Sequence, residues 1–463
     1  MISTERYRAL RPRRRSWDML ALVALALYGS DWMESATPGE QTPTPKKTVA
    51  KLIEDLDSDT RKVRQQAERG LLDRGSQILP LLPALELLPN VSVREAVRRI
   101  RRQLERAQAL DSIKPSRVTL VGQHSLSEVL AEISKQTGNR LDMSALPQAA
   151  KRRMIDVAYD KLAFWQALDN VVTKAGLRFV SGTSGSRTDG DLKIESPGKK
   201  PKQPSSPVTY SGAFRVTVDS AQLKPRVGEN PFRLLRLQLG LTAEPRLRPL
   251  FLKRTGRSVG VANSNGVVFG PFDPEASIEQ PFGEGGRHQT VRLDFKVPTG
   301  KTVTDVVLRG QFSLLTAAGT QPIRFADIAK SQNVARRRGG VTAKIRDVAF
   351  KRNADGKQQA SVEIALSYDG GGPAFESHRT WVFHNEAYLE TSAGQRIGYT
   401  GPFRMALQKD GAVAVEYSFQ NLAGKPSDYA FVYVAPTLLV DVPLEFTFRK
   451  IHIIDSAKEG RPK

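Results

Sequence analysis

Leu235-Arg-Leu-Gln-Leu239 and Val362-Glu-Ile-Ala-Leu366 each alternate apolar with other residues at period two, and they stand 127 residues apart. Such alternation marks a strand with one face in a core. At the same spacing Val216, Val218 and Leu223 match Ala343, Ile345 and Phe350. Val291, Leu293 and Phe295 match Val413, Val415 and Tyr417, and Pro322-Ile-Arg-Phe325 echoes Pro443-Leu-Glu-Phe446. Gly270-Pro-Phe272 recurs as Gly401-Pro-Phe403, and Gly300-Lys301 as Gly424-Lys425. A strand pattern punctuated by Gly, Pro and Asn and repeated once predicts two tandem β-sandwiches, 209–335 and 336–455, with a short tail at 456–463. Each Gly-Pro-Phe is expected to fix a turn with its Phe packed inward.

Toward the N-terminus, residues 197–208 are rich in Pro, Lys and Ser and read as a linker. Before it, 112–196 changes period twice. Arg117–Val121 reads as a strand, and Ser125 caps a helix carrying Leu126, Val129, Leu130 and Ile133 that Gly138 stops. Arg140–Met143 reads as extended. Met154–Ala158 is a second long strand, followed by a helix with Phe164, Ala167, Leu168, Val171 and Val172. Short strands at Arg178-Phe179 and Leu192–Ile194 complete a small βαβ-type domain. Ser125-Leu-Ser-Glu-Val-Leu130, Gln136-Thr-Gly138, Ala163-Phe-Trp-Gln-Ala-Leu-Asp169 and Ala175-Gly-Leu177 resemble the short N-terminal domain of secretins and TonB-dependent receptors. The resemblance covers about 80 residues. It implies an α+β module that docks partners in the periplasm. No secretin or receptor barrel follows, so a transport role is not implied.

Residues 47–111 are helical in pattern. Val49, Leu52, Ile53 and Leu56 share one face, then Val63, Ala67, Leu71 and Leu72. Asp59 or Thr60 is placed to cap the second helix and Gly75 to close it. A last helix near Ser92–Ala109 is expected to bury Val93, Val97, Ile100 and Leu104 and to expose Arg94, Arg98, Arg101, Arg102 and Arg106. Leu56–Gly75 resembles a HEAT-type repeat through its Asp-rich turn, its Val-Arg pair and its closing Gly. That resemblance implies a short interaction platform. Asp55, Asp57 and Asp59 alternate like the start of a calcium loop, but Thr60 and Gln66 stand where such a loop needs Gly and Glu.

Residues 1–36 carry Arg6, Arg8, Arg11, Arg13, Arg14 and Arg15 ahead of the apolar run Met19–Gly29. A basic segment before a short apolar one is the form of an export signal, and the run is well below the ~20 residues of a spanning helix. Cleavage is expected near Gly29-Ser30 or Ser35-Ala36. A Pro/Thr linker at 37–46 comes next. The 463 residues include no Cys, which excludes disulfides, thiolate metal sites and cysteine nucleophiles. Seventy Lys and Arg against 48 Asp and Glu give +22. The charge is spread along the chain, unlike the clustered basic stripe of a dedicated nucleic-acid binder.

No nucleophile elbow, phosphate loop or dinucleotide fingerprint is present. The histidines are His124, His288, His378, His384 and His452. His378 and His384 lie on one strand parity but roughly 20 Å apart at strand rise. Val259–Gly266 is Gly-rich, and its Asn265-Gly266 reads as a hairpin turn. The basic stretch Arg246, Arg248, Lys253, Arg254 and Arg257 reads as a loop-rich edge. Arg336-Arg337-Arg338 falls in the junction between the copies.

Multidomain α+β and all-β architecture is therefore expected: a small helical unit, a small βαβ-type domain and two tandem β-sandwiches. The expected activity is binding without catalysis, with no cofactor, in the periplasm or the wider cell envelope. The partner is an envelope protein or acidic polymer, and contact with a membrane surface is allowed for. Arg94, Arg98, Arg101, Arg102, Arg336, Arg337 and Arg338 are the expected partner-binding residues. Two competing readings are a carbohydrate-active hydrolase using Glu376, Glu386 and Glu390, and a cytoplasmic nucleic-acid binder.

Overall fold

A computed structural model describes residues 45–180, 192–196, 206–225, 228, 231–282, 287–352, 357–369, 385–400, 404–409 and 412–456. The N-terminal segment expected to be an export signal, Glu376, His378, His384 and Gly401-Pro-Phe403 lie outside the described residues. The chain divides at Thr48/Val49 into two units, and every described sheet and helix except the start of the first helix belongs to the second.

The helical part holds α1 (Pro45–Asp55), α2 (Arg61–Asp73) and α3 (Val91–Ser112), with two 3-10 turns at Ser76–Leu81 and Leu85–Leu87. Its core gathers Ala67, Leu71, Ile78, Val97, Ile100 and Leu104. Asn90 caps α3, its side chain accepting the Ser92 N–H at 2.8 Å. Thr60 stands at the N-cap of α2 but accepts no side-chain bond.

Two sheets and two main helices form the α+β part. Arg117–Ser125 pairs antiparallel with Met154–Ala163. Leu141–Asp142 runs parallel to Leu192–Glu195, which also pairs with Arg178–Val180. Helix α4 (Leu126–Thr137) opens on a full capping box, Ser125 with Glu128, and closes on Gly138 at φ +67°. After the short α5 (Gln148–Lys151), α6 (Phe164–Ala175) closes on Gly176 in the same left-handed way. Val129, Leu130, Ile133, Phe164, Leu168 and Val171 share one core.

The rest is β. One five-stranded sheet has the central order His288–Pro298, Phe232–Ala243, Phe214–Leu223, with Val208–Ser211 and Ile454–Asp455 along its outer edge. A second runs Arg404–Lys409, Ala412–Leu422, Gln358–Tyr368, Val341–Arg352, Ala335–Arg338. Each has a bulge in the long strand next to its edge, between Val218 and Ser220 and between Ile345 and Asp347. Facing both lies an eight-stranded sheet whose spine is two long antiparallel strands, Asp305–Phe325 and Tyr429–His452.

These long strands correct the expected boundary at 335/336. Val306, Leu308, Phe312 and Leu314 share a core with Leu237, Leu239 and Leu293, but Leu444, Phe446, Phe448 and Ile451 from the chain's far end lie in that core too. Ala317, Ile323 and Phe325 belong instead with Ile345, Ile364, Val415, Phe431 and Tyr433. Each sandwich-like half is thus closed partly by the other's last strand. Alternating residues cannot distinguish the two outcomes, since a strand buries the same face whichever sheet lies opposite. Gly310 permits the crossing, because a Cβ there would run into the Phe446 ring.

The expected residue matches also shift. Val218 faces Leu239, whereas Ile345 faces Ile364. With Val218 set against Ile345, Leu239 corresponds to Ile364 rather than Leu366. A slip of two keeps every side chain on its face, so periodicity could not detect it. Phe272 is 50% exposed rather than inward. Its ring packs edge-on against Phe232 at 6.2 Å, with the Lys296 ammonium 5.3 Å from its centroid. Arg248–Thr255 is a strand paired on both sides, not a loop-rich edge. Arg336–Arg338 likewise lie in the strand Ala335–Arg338 rather than in a junction loop.

Candidate functional groove

Pro80, Pro83 and Pro89 interrupt the stretch between α2 and α3, so its carbonyls lack the acceptor role that a helix would give them. Arginines of α3 meet them instead. Arg94 donates from Nε and Nη2 to Leu88 O at 3.1 and 2.7 Å. Arg101 donates from Nη2 to Leu82 O at 3.2 Å and Pro83 O at 2.8 Å. Arg98 pairs with Glu95 one turn earlier. Arg94 and Arg101 therefore build the platform rather than presenting charge from it. The solvated arginine face expected from the sequence is reduced to Arg98, Arg102 and Arg106.

Helix α3 is held to the β part by Arg337. Its Nη2 donates to Glu105 Oε2 at 2.9 Å, and it also contacts Asp369. Burial works against the charge on Arg337, but hydrogen bonds to Asp369 and Glu105 outweigh it and raise its pKa. Its charge is thereby consumed inside the fold. The Arg336 guanidinium lies 5.6 Å from the Phe325 ring centroid, and Arg338 is exposed.

Between α3 and the middle of the long strands runs a groove of about 810 Å³, within the usual ~300–1,000 Å³ range of ligand sites. Arg102, Arg106 and Leu110 line it from α3. They recur at i, i+4 and i+8, which places them on one stripe of the helix. Leu315, Leu438, Leu439 and Val440 come from the long strands, and Phe251, Lys253 and Glu279 from the strands beside them. Gly339, Gly340, Tyr368 and Asp369 also contribute. Lys253 pairs with Glu279 at 3.4 Å. Arg102 and Arg106 have no ion-pair partner among the described residues. Leu438 has φ +56°, a left-handed backbone that costs a residue with a Cβ roughly 1–2 kcal/mol. Its N–H is retained by Gly339 O at 3.1 Å. Such strain often collects at functional sites.

A second polar cluster fixes the frame around this groove. Glu244 is fully buried. Its carboxylate accepts the Ser116 N–H at 3.0 Å, the Ser116 hydroxyl at 2.6 Å, Asn139 Nδ2 at 3.1 Å and Arg246 Nε at 2.7 Å. Arg246 reaches on to the carbonyls of Ser112 and Lys114. One carboxylate thus joins the end of α3, the α+β part and the first β half. Trp165 Nε1 donates to Ala213 O at 3.1 Å, while Tyr210 and Arg215 converge on Asp169 at 2.6 and 2.9 Å.

Of the expected partner-binding residues, only Arg102 lines the groove, and Arg337 anchors its wall. Arg106, Leu110 and the Leu438–Val440 floor complete it, and period-two alternation gave no sign that this floor is open. Glu386 and Glu390 are engaged with Arg396 and Arg324 at 3.4 and 3.1 Å. His124, His288 and His452 contact Val121 O, Thr242 Oγ1 and Asp305. Among the described residues no group of three His, Cys, Asp or Glu could hold a metal ion. No described helix is long and apolar enough to cross a membrane. Compared with protein-family models and with curated proteins, the chain matches none.

Proposed function

We propose that this chain is an exported, non-catalytic binding or scaffold protein of the bacterial cell envelope, acting through protein–protein or acidic-polymer contacts. In this reading the helical part is a HEAT-like platform, 115–195 is a module like the secretin short domain, and the β part is a duplicated sandwich. Four strands of each five-stranded sheet follow the same order, and the bulge falls in the corresponding strand, which supports duplication; the fifth strands differ, Ile454–Asp455 lying beside Phe214–Leu223 and Arg404–Lys409 beside Ala412–Leu422.

The observation that carries binding is the groove. An apolar floor is walled by a helix with two uncommitted arginines, and partly buried ion pairs hold both in place. Export rests on the basic and apolar N-terminal sequence. Fractionating the producing cell and sequencing the N-terminus of the recovered protein tests it. A mature start between Ser30 and Thr37 in the envelope fraction is expected. An intact Met1 start in the cytoplasm would overturn the envelope reading.

A further inference from the structure

We propose that the groove beside α3 binds an extended acidic peptide segment of the form acidic–apolar–acidic. The acidic side chains would pair with Arg102 and Arg106, and the segment would lie over Leu438 and Leu439. This rests on the binding function proposed for the chain and names its partner's chemistry.

Spacing gives the pattern. Arg102 and Arg106 are one turn apart, about 6 Å along the helix at 1.5 Å per residue. In an extended chain residues i and i+2 share a face and lie about 6.6 Å apart. Two carboxylates flanking one residue therefore meet the two guanidiniums, and the residue between them points away from the arginines. An apolar side chain there can meet the apolar lining of the groove, Leu438 and Leu439 included.

Charge selects a peptide over a uniform polyanion. Arg337 is one cation shared between two carboxylates, Glu105 and Asp369, and Lys253 pairs with Glu279, so these groups leave a net negative charge beside the groove. Asp441 also lines the groove and has no ion-pair partner among the described residues. A chain carrying phosphate or carboxylate at every unit would set negative charge against these groups, and like-charge contacts are penalised. A segment with two charges and an apolar centre avoids that. A lipid surface would have to follow a concave, walled floor, which a flat bilayer does not.

The test uses the full-length protein and fluorescently labelled, end-blocked peptides with a Glu-Leu-Glu core, read by anisotropy at low and physiological salt. Binding is expected, at least tenfold weaker for a Gln-Leu-Gln core and for the R102E/R106E protein. The reversed protein should instead take a Lys-Leu-Lys core. Both arginines are exposed, and an unchanged urea midpoint for R102E/R106E verifies that the fold is kept. Unaltered affinity of R102E/R106E for Glu-Leu-Glu, or no binding of that core at millimolar concentration, would overturn the proposal. So would loss of phosphatidylglycerol-vesicle binding in R102E/R106E when the peptides never bind, which would assign the stripe to a membrane. Peptide failure with an enveloped, processed protein sinks this inference alone. A cytoplasmic, unprocessed protein sinks the envelope reading and leaves the groove chemistry standing.

Discussion

Two carboxylates illustrate what a single residue does in this fold. Glu244 has no exposure and four bonds from groups distant in sequence or across a turn. Replacing it with Ala leaves Arg246 without its carboxylate partner and Ser116 and Asn139 short of an acceptor. Removing one partner of a buried pair typically costs about 3–5 kcal/mol. Urea unfolding of E244A should show a loss of that size, and a change below about 1 kcal/mol would show that the cluster is not a structural node. Glu128 tests the opposite, exposed case. The Ser125 N–H donates to its Oε2 at 2.9 Å, and this bond, with the Ser125 hydroxyl, holds the carboxyl below its usual range. With its folded pKa lowered, Glu128 contributes fully above the unfolded value of about 4.3 and loses that contribution as pH falls through the folded value. The melting-temperature gap between wild type and E128Q should therefore narrow as pH falls from 7 into the acid range below 4. A gap that does not narrow as the carboxyl is protonated would contradict this origin. Ser125 and Gly138 were legible in the sequence because a cap is local. Glu244 was not, because Ser116 and Asn139 lie more than a hundred residues away.

At the scale of elements, sequence periodicity located most helices and strands of the helical and α+β parts to within a few residues. It misjudged roles where the element's surroundings decide them. Arg94 and Arg101 follow a solvated-face pattern on α3, yet the proline-broken segment beside it offers carbonyls that only a long donor can reach. The strand Arg248–Thr255 was obscured by its charges and by Pro245 and Pro249. Only its Arg248, Lys253 and Arg254 are less than buried before the final Thr, while Pro249, Leu250, Phe251 and Leu252 form the inner run. Arg102 was legible as a candidate, but its significance comes from lying opposite Leu438–Val440, which no local pattern encodes. In the same way Arg336–Arg338 read as one basic cluster, and the strand alternation separates them. Arg337 turns toward Glu105, while Arg336 and Arg338 do not.

For the whole molecule, the two long strands matter most. The sequence picked out only Pro322–Phe325 and Pro443–Phe446 within Asp305–Phe325 and Tyr429–His452, and nothing in it showed that each long strand serves two cores. Their pairing runs from Asp305↔His452 to Phe325↔Phe431, leaving no seam at which one β half could part from the other. The groove depends on this frame, since its floor is the middle of that pairing and its wall is a helix pinned by Arg337 and, at its end, by Arg246. If the two halves and α3 moved independently, Arg102 and Arg106 would keep no fixed relation to Leu438. Calorimetry of the full chain, followed in parallel by tryptophan fluorescence and far-ultraviolet circular dichroism, is the decisive measurement. Both β halves and α3 are expected to melt in one transition, with coincident midpoints by all probes. Two resolved transitions, one for each half, would contradict the shared frame and with it the fixed groove.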